Sequence, residues 1–472
     1  MEYVSTRGLA PRLRFRDVLM TGLARDGGLY VPADWPELSG AATAGFAGRP
    51  YGDVAFDVIA PFVDGEIPDD ALRDMIRAAY ATFANPAVAP LRELAPDRYL
   101  LELFHGPTLA FKDVAMQLLA RMMDHVLAAR GTRMTIVGAT SGDTGAAAIE
   151  AFRDRVNVDV FILFPENRVS DFQRRQMTTT GADNVHPIAV KGTFDDCQAI
   201  VKAIFGNAEF RDAYAVSGVN SINFARIVGQ IVYYFTAAAA LGAPDRAVSF
   251  TVPTGNFGDI YAGYAAKRMG LPIAELVIAT NVNDILARTL ATGRYDLRDV
   301  TPTTSPSMDI QISSNFERIL FEAYDRDAAA IRGLMQGLAE TGAFDIAPHA
   351  LAAIRADFAA GRADETSVAS AIAGTYAATG FLPDPHTGVA LAVAGDFAEP
   401  GVPMVTLSTA HAGKFPAAVT AATGGIAPIL PAGFAEILTR TEAFATLAAD
   451  RRAVEAYIAE RSRVSAAESL TR

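Results

Sequence analysis

A chain of 472 residues is long enough for two or three domains, and with 51% of them hydrophobic it can bury a large core. A net charge of -12 argues against nucleic acid and anionic membrane surfaces as partners, and any anionic small molecule must be held by a local cluster of donors. A single cysteine, Cys197, excludes an internal disulfide, the opening Tyr3-Val4-Ser5-Thr6-Arg7-Gly8 shows no signal segment, and no apolar run reaches bilayer length, so the expected setting is the cytoplasm.

Residues 1–95 read as a mostly helical N-terminal domain. Asp26-Gly27-Gly28 forms a turn into a short strand at Leu29-Tyr30-Val31, a Gly/Ala-rich loop runs from Trp35 to Pro50, and helices are predicted at about 51–63 and 68–84. Arg7 is a candidate phosphate ligand, with a solvated charge as the commoner alternative.

From residue 96 strands and helices alternate. Tyr99–Leu103 is a strand that delivers the loop His105-Gly106-Pro107-Thr108-Leu109-Ala110-Phe111-Lys112-Asp113. Apolar residues at Phe111, Val114, Ala115, Leu118, Leu119, Met122, Met123, Val126 and Leu127 predict a helix closed by Gly131. Strands follow at Met134–Val137, Val158–Phe164, Val185–Val190, Tyr214–Val216, Val248–Val252, Leu276–Ala279 and Pro403–Leu407. Helices are predicted between them, at about 194–206, 222–241 and 258–269 among others, and an Ala-rich helical unit spans about 315–380. This succession predicts an α/β fold, parallel sheet with helices on both faces.

Lys112 falls in the first turn of its helix, where the macrodipole repels a cation and favours the neutral amine, the form that attacks a carbonyl. A Schiff-base lysine suits the position; a solvated surface lysine is the plainer reading. Four further loops sit where open α/β sheets bind ligands, beyond the carboxyl ends of strands. Thr140-Ser141-Gly142-Asp143-Thr144-Gly145 combines close backbone approach with hydroxyl donors, suited to a carboxylate or to ordinary N-capping. Thr254-Gly255-Asn256-Phe257-Gly258-Asp259 follows a strand and opens a helix, as a phosphate cradle or a tight turn would, and is not a Walker or dinucleotide loop. In Asn220-Ser221-Ile222-Asn223-Phe224-Ala225-Arg226 the arginine stands near a helix start and calls for an anion, either a phosphate or a carboxylate. Leu407-Ser408-Thr409-Ala410-His411, at the end of the last strand, offers a hydroxyl to an aromatic ring nitrogen or caps the strand end. The six histidines are scattered, so no metal site is expected, and no G-x-S-x-G elbow is present.

Together these loops are the inventory of a pyridoxal-phosphate enzyme. The chain resembles the threonine synthase family, of the longer type found in yeast and many bacteria, through STRG (5–8), HGPTLAFKD (105–113), ATSGDTG (139–145), FPENRVSDFQRRQM (164–177), NSINFAR (220–226), PTGNFGD (253–259) and LSTAHAGKF (407–415). The resemblance runs nearly end to end, departing at Ala-His-Ala-Gly where Ala-His-Pro is commoner. It implies the tryptophan-synthase-β-like fold (fold type II): two parallel-sheet domains with helices on both faces, the smaller at about 130–225, behind the mostly helical N-terminal region. It implies pyridoxal 5'-phosphate as cofactor, carried by Lys112, with Gly255, Asn256, Phe257, Gly258 and Asp259 around its phosphate, Thr409 facing the ring nitrogen and Asp143 near the 3-oxygen. Thr140, Ser141 and Thr144 match the substrate-carboxylate loop; Asn220, Ser221 and Arg226 match the groups that hold the substrate's phosphate. The implied reaction turns O-phospho-L-homoserine and water into L-threonine and phosphate, by a monomer or homodimer whose partner is that small molecule. A phospho-lyase releasing 2-oxobutyrate from the same substrate and a non-catalytic metabolite-binding relative are the alternatives; a dehydratase or cysteine synthase would not need the NSINFAR anion site.

Overall fold

The computed structural model describes residues 1–218 and 221–464. Two sheets organise it. The larger has six strands in the order Phe358–Arg362, Ile273–Thr280, Val248–Pro253, Met404–Ser408, Arg98–Glu102 and Leu91–Ala95. All neighbours are parallel except the last pair, where Leu91–Ala95 returns antiparallel along the edge. The smaller has five parallel strands in the order Ala445–Ala448, Val185–Lys191, Val158–Pro165, Met134–Ala139 and Val216–Ser217. Strands covered by helices on both faces need apolar residues on both, and the central ones have them: Val158–Pro165 and Val248–Pro253 are buried at every position. The α/β architecture expected above is thus present, with one antiparallel edge added.

The lysine helix, Lys112–Arg130, begins and ends as its pattern predicts. Gly131 closes it at φ 62°, a left-handed cap that glycine adopts without a Cβ clash. It is buried on most of its surface, lying against helix Asp143–Phe152 and against helix Phe224–Ala240, where a Cβ at Gly229 would stand 3.1 Å from the Ala115 Cα. Phe194–Gly206 starts on a full capping box between Thr193 and Asp196.

The predicted helical unit at 315–380 is corrected in part. Helices Phe316–Ala323, Ala328–Thr341, Pro348–Arg355 and Glu365–Thr379 are there, but Ala343–Asp345 pairs with Arg294–Asp296, and Phe358–Arg362 forms the outer strand of the larger sheet. Phe358-Ala359-Ala360-Gly361-Arg362 is composed like a helix end, yet pairing with Leu276–Thr280 outweighs that local preference. The strand predicted at Tyr214–Val216 begins two residues later, and the helix predicted to residue 84 stops at Tyr80.

The N-terminal region is clamped to the start of the helix Phe224–Ala240 and the residues just before it. Tyr3 meets Phe224 edge-on, with ring centroids 5.5 Å apart, and the Asn223 side-chain amide donates to the Leu19 carbonyl at 2.9 Å. Arg318, wholly buried, donates to the Tyr30 carbonyl at 3.1 Å and the Ile222 carbonyl at 2.6 Å, joining the two regions through one guanidinium.

Candidate active site

Four strands end in four of the five loops singled out above. Arg98–Glu102, Val248–Pro253 and Met404–Ser408 deliver theirs from the larger sheet, and Met134–Ala139 from the smaller. The two sets meet at Asp143. Its Oδ1 pairs with Lys414 Nζ at 2.8 Å and accepts from Gln173 Nε2 at 2.7 Å, while Oδ2 lies 3.8 Å from Lys112 Nζ.

Lys112 is the first residue of its helix and is buried, its ammonium 4.7 Å from the Phe111 ring centroid. Burial lowers its pKa; Asp143 pulls it back up, and Lys414 and Arg226 push it down again, leaving it below the ordinary lysine range. The amine is therefore biased toward its nucleophilic form. The preceding loop is stiffened by Asp113, whose carboxylate accepts from the Thr108 backbone N–H and hydroxyl, both at 2.7 Å. Gly106 is required there, since a Cβ would lie 2.5 Å from Asp113 Oδ2.

Asp143 behaves oppositely. Burial alone would raise its carboxyl, but Lys414 and Lys112 outweigh that and hold it below the usual range, so it is a fixed anion. Lys414 and Gln173 contact Asp143 directly and Gln176 joins Lys414 at the Thr108 carbonyl, pairings that reading the loops one at a time leaves out. Lys414 is buried and donates from Nζ to the Thr108 carbonyl at 2.6 Å as well as to Asp143. Gln176 Nε2 donates to that same carbonyl at 3.2 Å. The signal for the glutamines was the FQRRQM run, which forms the helix Asp171–Thr178 with both on its buried side.

In the hydroxyl-rich loop the three predicted residues divide. The Thr140 hydroxyl is turned inward, accepting from the N–H groups of Gly142 at 3.0 Å and Gly145 at 2.9 Å, so it shapes the loop. Ser141 is exposed and Thr144 half-buried at the helix start. Gly142 sits at φ 149°, ψ -90°, and a Cβ there would lie 2.6 Å from the Gln173 amide.

The second loop has the form of a cradle. The Gly255 carbonyl accepts from Ser313 Oγ at 2.7 Å, and the Asn256 carbonyl accepts from Asn315 N at 3.1 Å and Nδ2 at 2.8 Å. In trans peptides the next N–H points the opposite way, so the amides of Asn256 and Phe257 are turned away from Ser313 and Asn315. Phe257 takes φ 62° while its ring packs on Phe316 and Phe358, each 5.4 Å away between centroids. A Cβ at Gly255 would be 3.0 Å from the Ser307 carbonyl, and one at Gly258 3.3 Å from Asn315 Nδ2. Amides, a glycine floor and the start of helix Gly258–Arg268 suit a phosphate. With the buried Lys112 amine, they fit pyridoxal phosphate.

Asp259 is placed behind this cradle. Its Oδ1 accepts from the hydroxyls of Tyr233 and of Tyr234, the latter at 3.1 Å, and its Oδ2 is buried without a hydrogen bond. Burial raises its pKa to about 6 against the tyrosine hydrogen bonds. A carboxyl raised in the fold contributes stability that is complete below the unfolded value, near 3.8, and is lost as pH rises through about 6. Asp259→Asn should therefore flatten the Tm–pH profile between about pH 4 and 6. An unchanged slope would show that Asp259 titrates as an ordinary exposed acid.

Of the third loop, Asn220 lies outside the described residues, Ser221 is half-buried, and Asn223 caps helix Phe224–Ala240 by accepting from the Ala225 N–H at 2.9 Å. Arg226 is buried in the first turn, and burial pushes its guanidinium down to about 10. Thr409 is buried, its carbonyl accepting from the Phe111 N–H at 2.8 Å beside the lysine helix. Arg7 is corrected: Nε and Nη2 engage both oxygens of Glu317 at 3.0 and 2.9 Å, so its charge is spent on a structural pair.

Comparison with known proteins agrees with this geometry along the chain. The family profile "Threonine synthase N terminus" matches residues 2–80, "Pyridoxal-phosphate dependent enzyme" matches 88–363, and "Threonine synthase, C-terminal" matches 387–458. The threonine synthase of Pseudomonas aeruginosa is 50% identical over 461 residues, 98% of each chain. The crystal structure of threonine synthase with bound pyridoxal phosphate from Brucella melitensis is 58% identical, covers 98% of this chain and 100% of its own, and superposes with a TM-score of 0.96. For the yeast threonine synthase structure the figures are 38% identity, 98% of each chain and a TM-score of 0.93.

Proposed function

The chain belongs to the threonine synthase family of pyridoxal-phosphate-dependent lyases, and from that premise we propose how its own residues turn O-phospho-L-homoserine and water into L-threonine and phosphate. The observation that carries the proposal is the buried amine of Lys112, set beside Asp143 and within electrostatic reach of Arg226 and Lys414. Pyridoxal phosphate, when bound, supplies the electron sink that makes the substrate's Cα proton removable.

Lys112 would carry the cofactor at rest. Gly255, Asn256, Phe257 and Gly258 would enclose its phosphate, with Asp259 holding the loop from behind through the two tyrosines. Asp143 would face the ring substituent next to the lysine, and Thr409 would offer a neutral hydroxyl to the ring nitrogen. Ser141 and Thr144 would bind the substrate carboxylate on the loop that Thr140 shapes, and Ser221 and Arg226 would bind its phosphate.

In turnover, Lys112 Nζ takes the proton from Cα and serves as carrier for the one lost from Cβ. The Cγ–O bond then breaks, and phosphate leaves with its charge met by Arg226. Water adds its oxygen at Cβ and yields its remaining proton to the released phosphate, and Lys112 returns protons to Cγ and Cα, so one water is consumed and one phosphate dianion released. Burial of Lys112, Arg226 and Lys414 keeps bulk water away from these transfers and strengthens each charge interaction.

The test is identification of the organic product from phosphohomoserine. Threonine and phosphate in equal amounts are expected; 2-oxobutyrate as the main product would make the protein a phospho-lyase, and no turnover a binding relative. No described helix is long and apolar enough to cross a membrane. The same reading places the protein in the cytoplasm as a monomer or homodimer, which sedimentation would decide. It divides the chain into a 1–95 N-terminal domain and a 96–472 catalytic region, whose smaller subdomain, at about 130–225, is joined by the strand Ala445–Ala448.

A further inference from the structure

The glycine cradle is backed by a turn. Ser307, Met308 and Ile310 are the atoms a Cβ at Gly255 would meet, so Ser305–Ile310 is the wall against which the loop rests. That wall is pinned at both ends. Asp309 Oδ1 accepts from Asn281 Nδ2 at 2.8 Å, Asn283 Nδ2 at 3.0 Å and the Thr303 hydroxyl at 2.7 Å, and Oδ2 accepts from the Thr303 N–H at 2.8 Å. Asn281 also donates to the buried Ser305 hydroxyl at 3.0 Å. On the other side, the Ser307 N–H points at His386 Nε2, 3.4 Å away, whose Nδ1 is paired with the fully buried Asp384 at 2.7 Å.

Four donors converging on one carboxylate, two of them from asparagines whose own oxygens are engaged elsewhere, are more than a surface turn needs for order. Asn283 Nδ2 also donates to the Asn281 oxygen at 3.1 Å and the Thr301 carbonyl at 2.8 Å, and the Asn283 oxygen accepts from the Thr301 N–H at 2.8 Å, so the network is closed on itself. The turn it holds lies against Gly255.

We propose that Asp309 is a positioning residue for the cofactor's phosphate: held by Asn281, Asn283 and Thr303, it fixes the turn that keeps the Gly255–Gly258 amides convergent. The inference rests on the cradle assignment made under the proposed function. A ligand group held only by oriented amides loses affinity when the backing that aims them relaxes, though nothing touching the ligand has changed. Asp309→Asn is the informative variant, because it keeps the size and sets an amide N–H2 or a single oxygen against four donors. Asp309→Ala removes the acceptor altogether.

The experiment titrates apoprotein with pyridoxal phosphate and, separately, with phosphate-free pyridoxal, following the visible absorption of the lysine-bound group and the Tm of each apoprotein. For Asp309→Asn and Asp309→Ala, the Kd for pyridoxal phosphate should rise by about tenfold or more, the outer-shell magnitude. The Kd for pyridoxal, which engages Lys112 without the cradle, should stay within about twofold. Gly258→Val is the control for the cradle and should lose pyridoxal phosphate selectively as well. If Gly258→Val weakens pyridoxal phosphate and neither Asp309 variant does, the positioning role is overturned and the cradle stands. If both aldehydes weaken together with a fall in apoprotein Tm, Asp309 is a general stability residue and the proposal fails. Unchanged affinity in Gly258→Val overturns the cradle assignment and this inference with it.

Discussion

Lys112→Ala protein is expected to fold, to lack the visible absorption of a lysine-bound cofactor, and to turn over phosphohomoserine at least ~10³-fold more slowly, within the range general acid–base groups contribute. The fold survives because the helix is anchored elsewhere: Met116, Leu119, Met123 and Val126 are buried along it, and its first turn is tied by Asp113 to Thr108. Loss of one cation near Asp143 leaves Lys414 at 2.8 Å to neutralise it, so no buried charge is orphaned. Circular dichroism and Tm check the fold, absorption checks the cofactor and product release checks the rate. Full activity with normal absorption would assign the cofactor to another lysine, Lys414 being the nearest to hand.

Arg226→Ala should cost about 2–5 kcal/mol of apparent transition-state stabilisation, roughly 30- to 5000-fold in kcat/KM, because a departing phosphate dianion loses its buried cation. The chain's net charge of -12 offers no general steering in compensation. Arg226→Lys should recover only part, since an ammonium cannot reproduce the planar fork, and burial disfavours its charge more readily. Cofactor absorption should be unchanged in both, as the cradle and Lys112 sit on other loops. Near-normal kcat/KM in both variants would leave Arg226 a structural cation and move the substrate phosphate elsewhere.

Periodicity and β-branched runs were enough to read most of the sheet strands and helices. Val158–Pro165 and Lys112–Arg130 are long, apolar and closed by unmistakable stops. The edges were not legible in the same way. Phe358–Arg362 is small and Ala-rich, Ala445–Ala448 is only four residues long, and neither has a pattern of its own; their pairing with Leu276–Thr280 and Ile188–Lys191 makes them strands. At the site, the loops were visible because each combines glycine with polar residues after a strand. What their residues do inside the loop was not. Thr140 spends its hydroxyl on two backbone amides, Asn223 rather than its neighbours caps the arginine helix, and Arg7 is drawn to Glu317, more than three hundred positions away in the chain. Lys414 pairs with Asp143 only because the two sheets bring their loops together, a long-range fact with no local signature.

The strand Met404–Ser408 lies in the interior of the larger sheet, between Val248–Pro253 and Arg98–Glu102, although it is the last of the six to be made. On the ribosome, a chain some four hundred residues long would therefore carry two unpaired parallel strand edges facing an empty slot. Such edges are apolar templates for other chains, and closing the gap requires a contact of very large sequence separation. Nascent protein should consequently depend on chaperone shielding until residue 408 has emerged. A fragment halted just before residue 404 should be found aggregated or protease-sensitive, whereas one halted after the strand has cleared the exit tunnel should acquire protection abruptly.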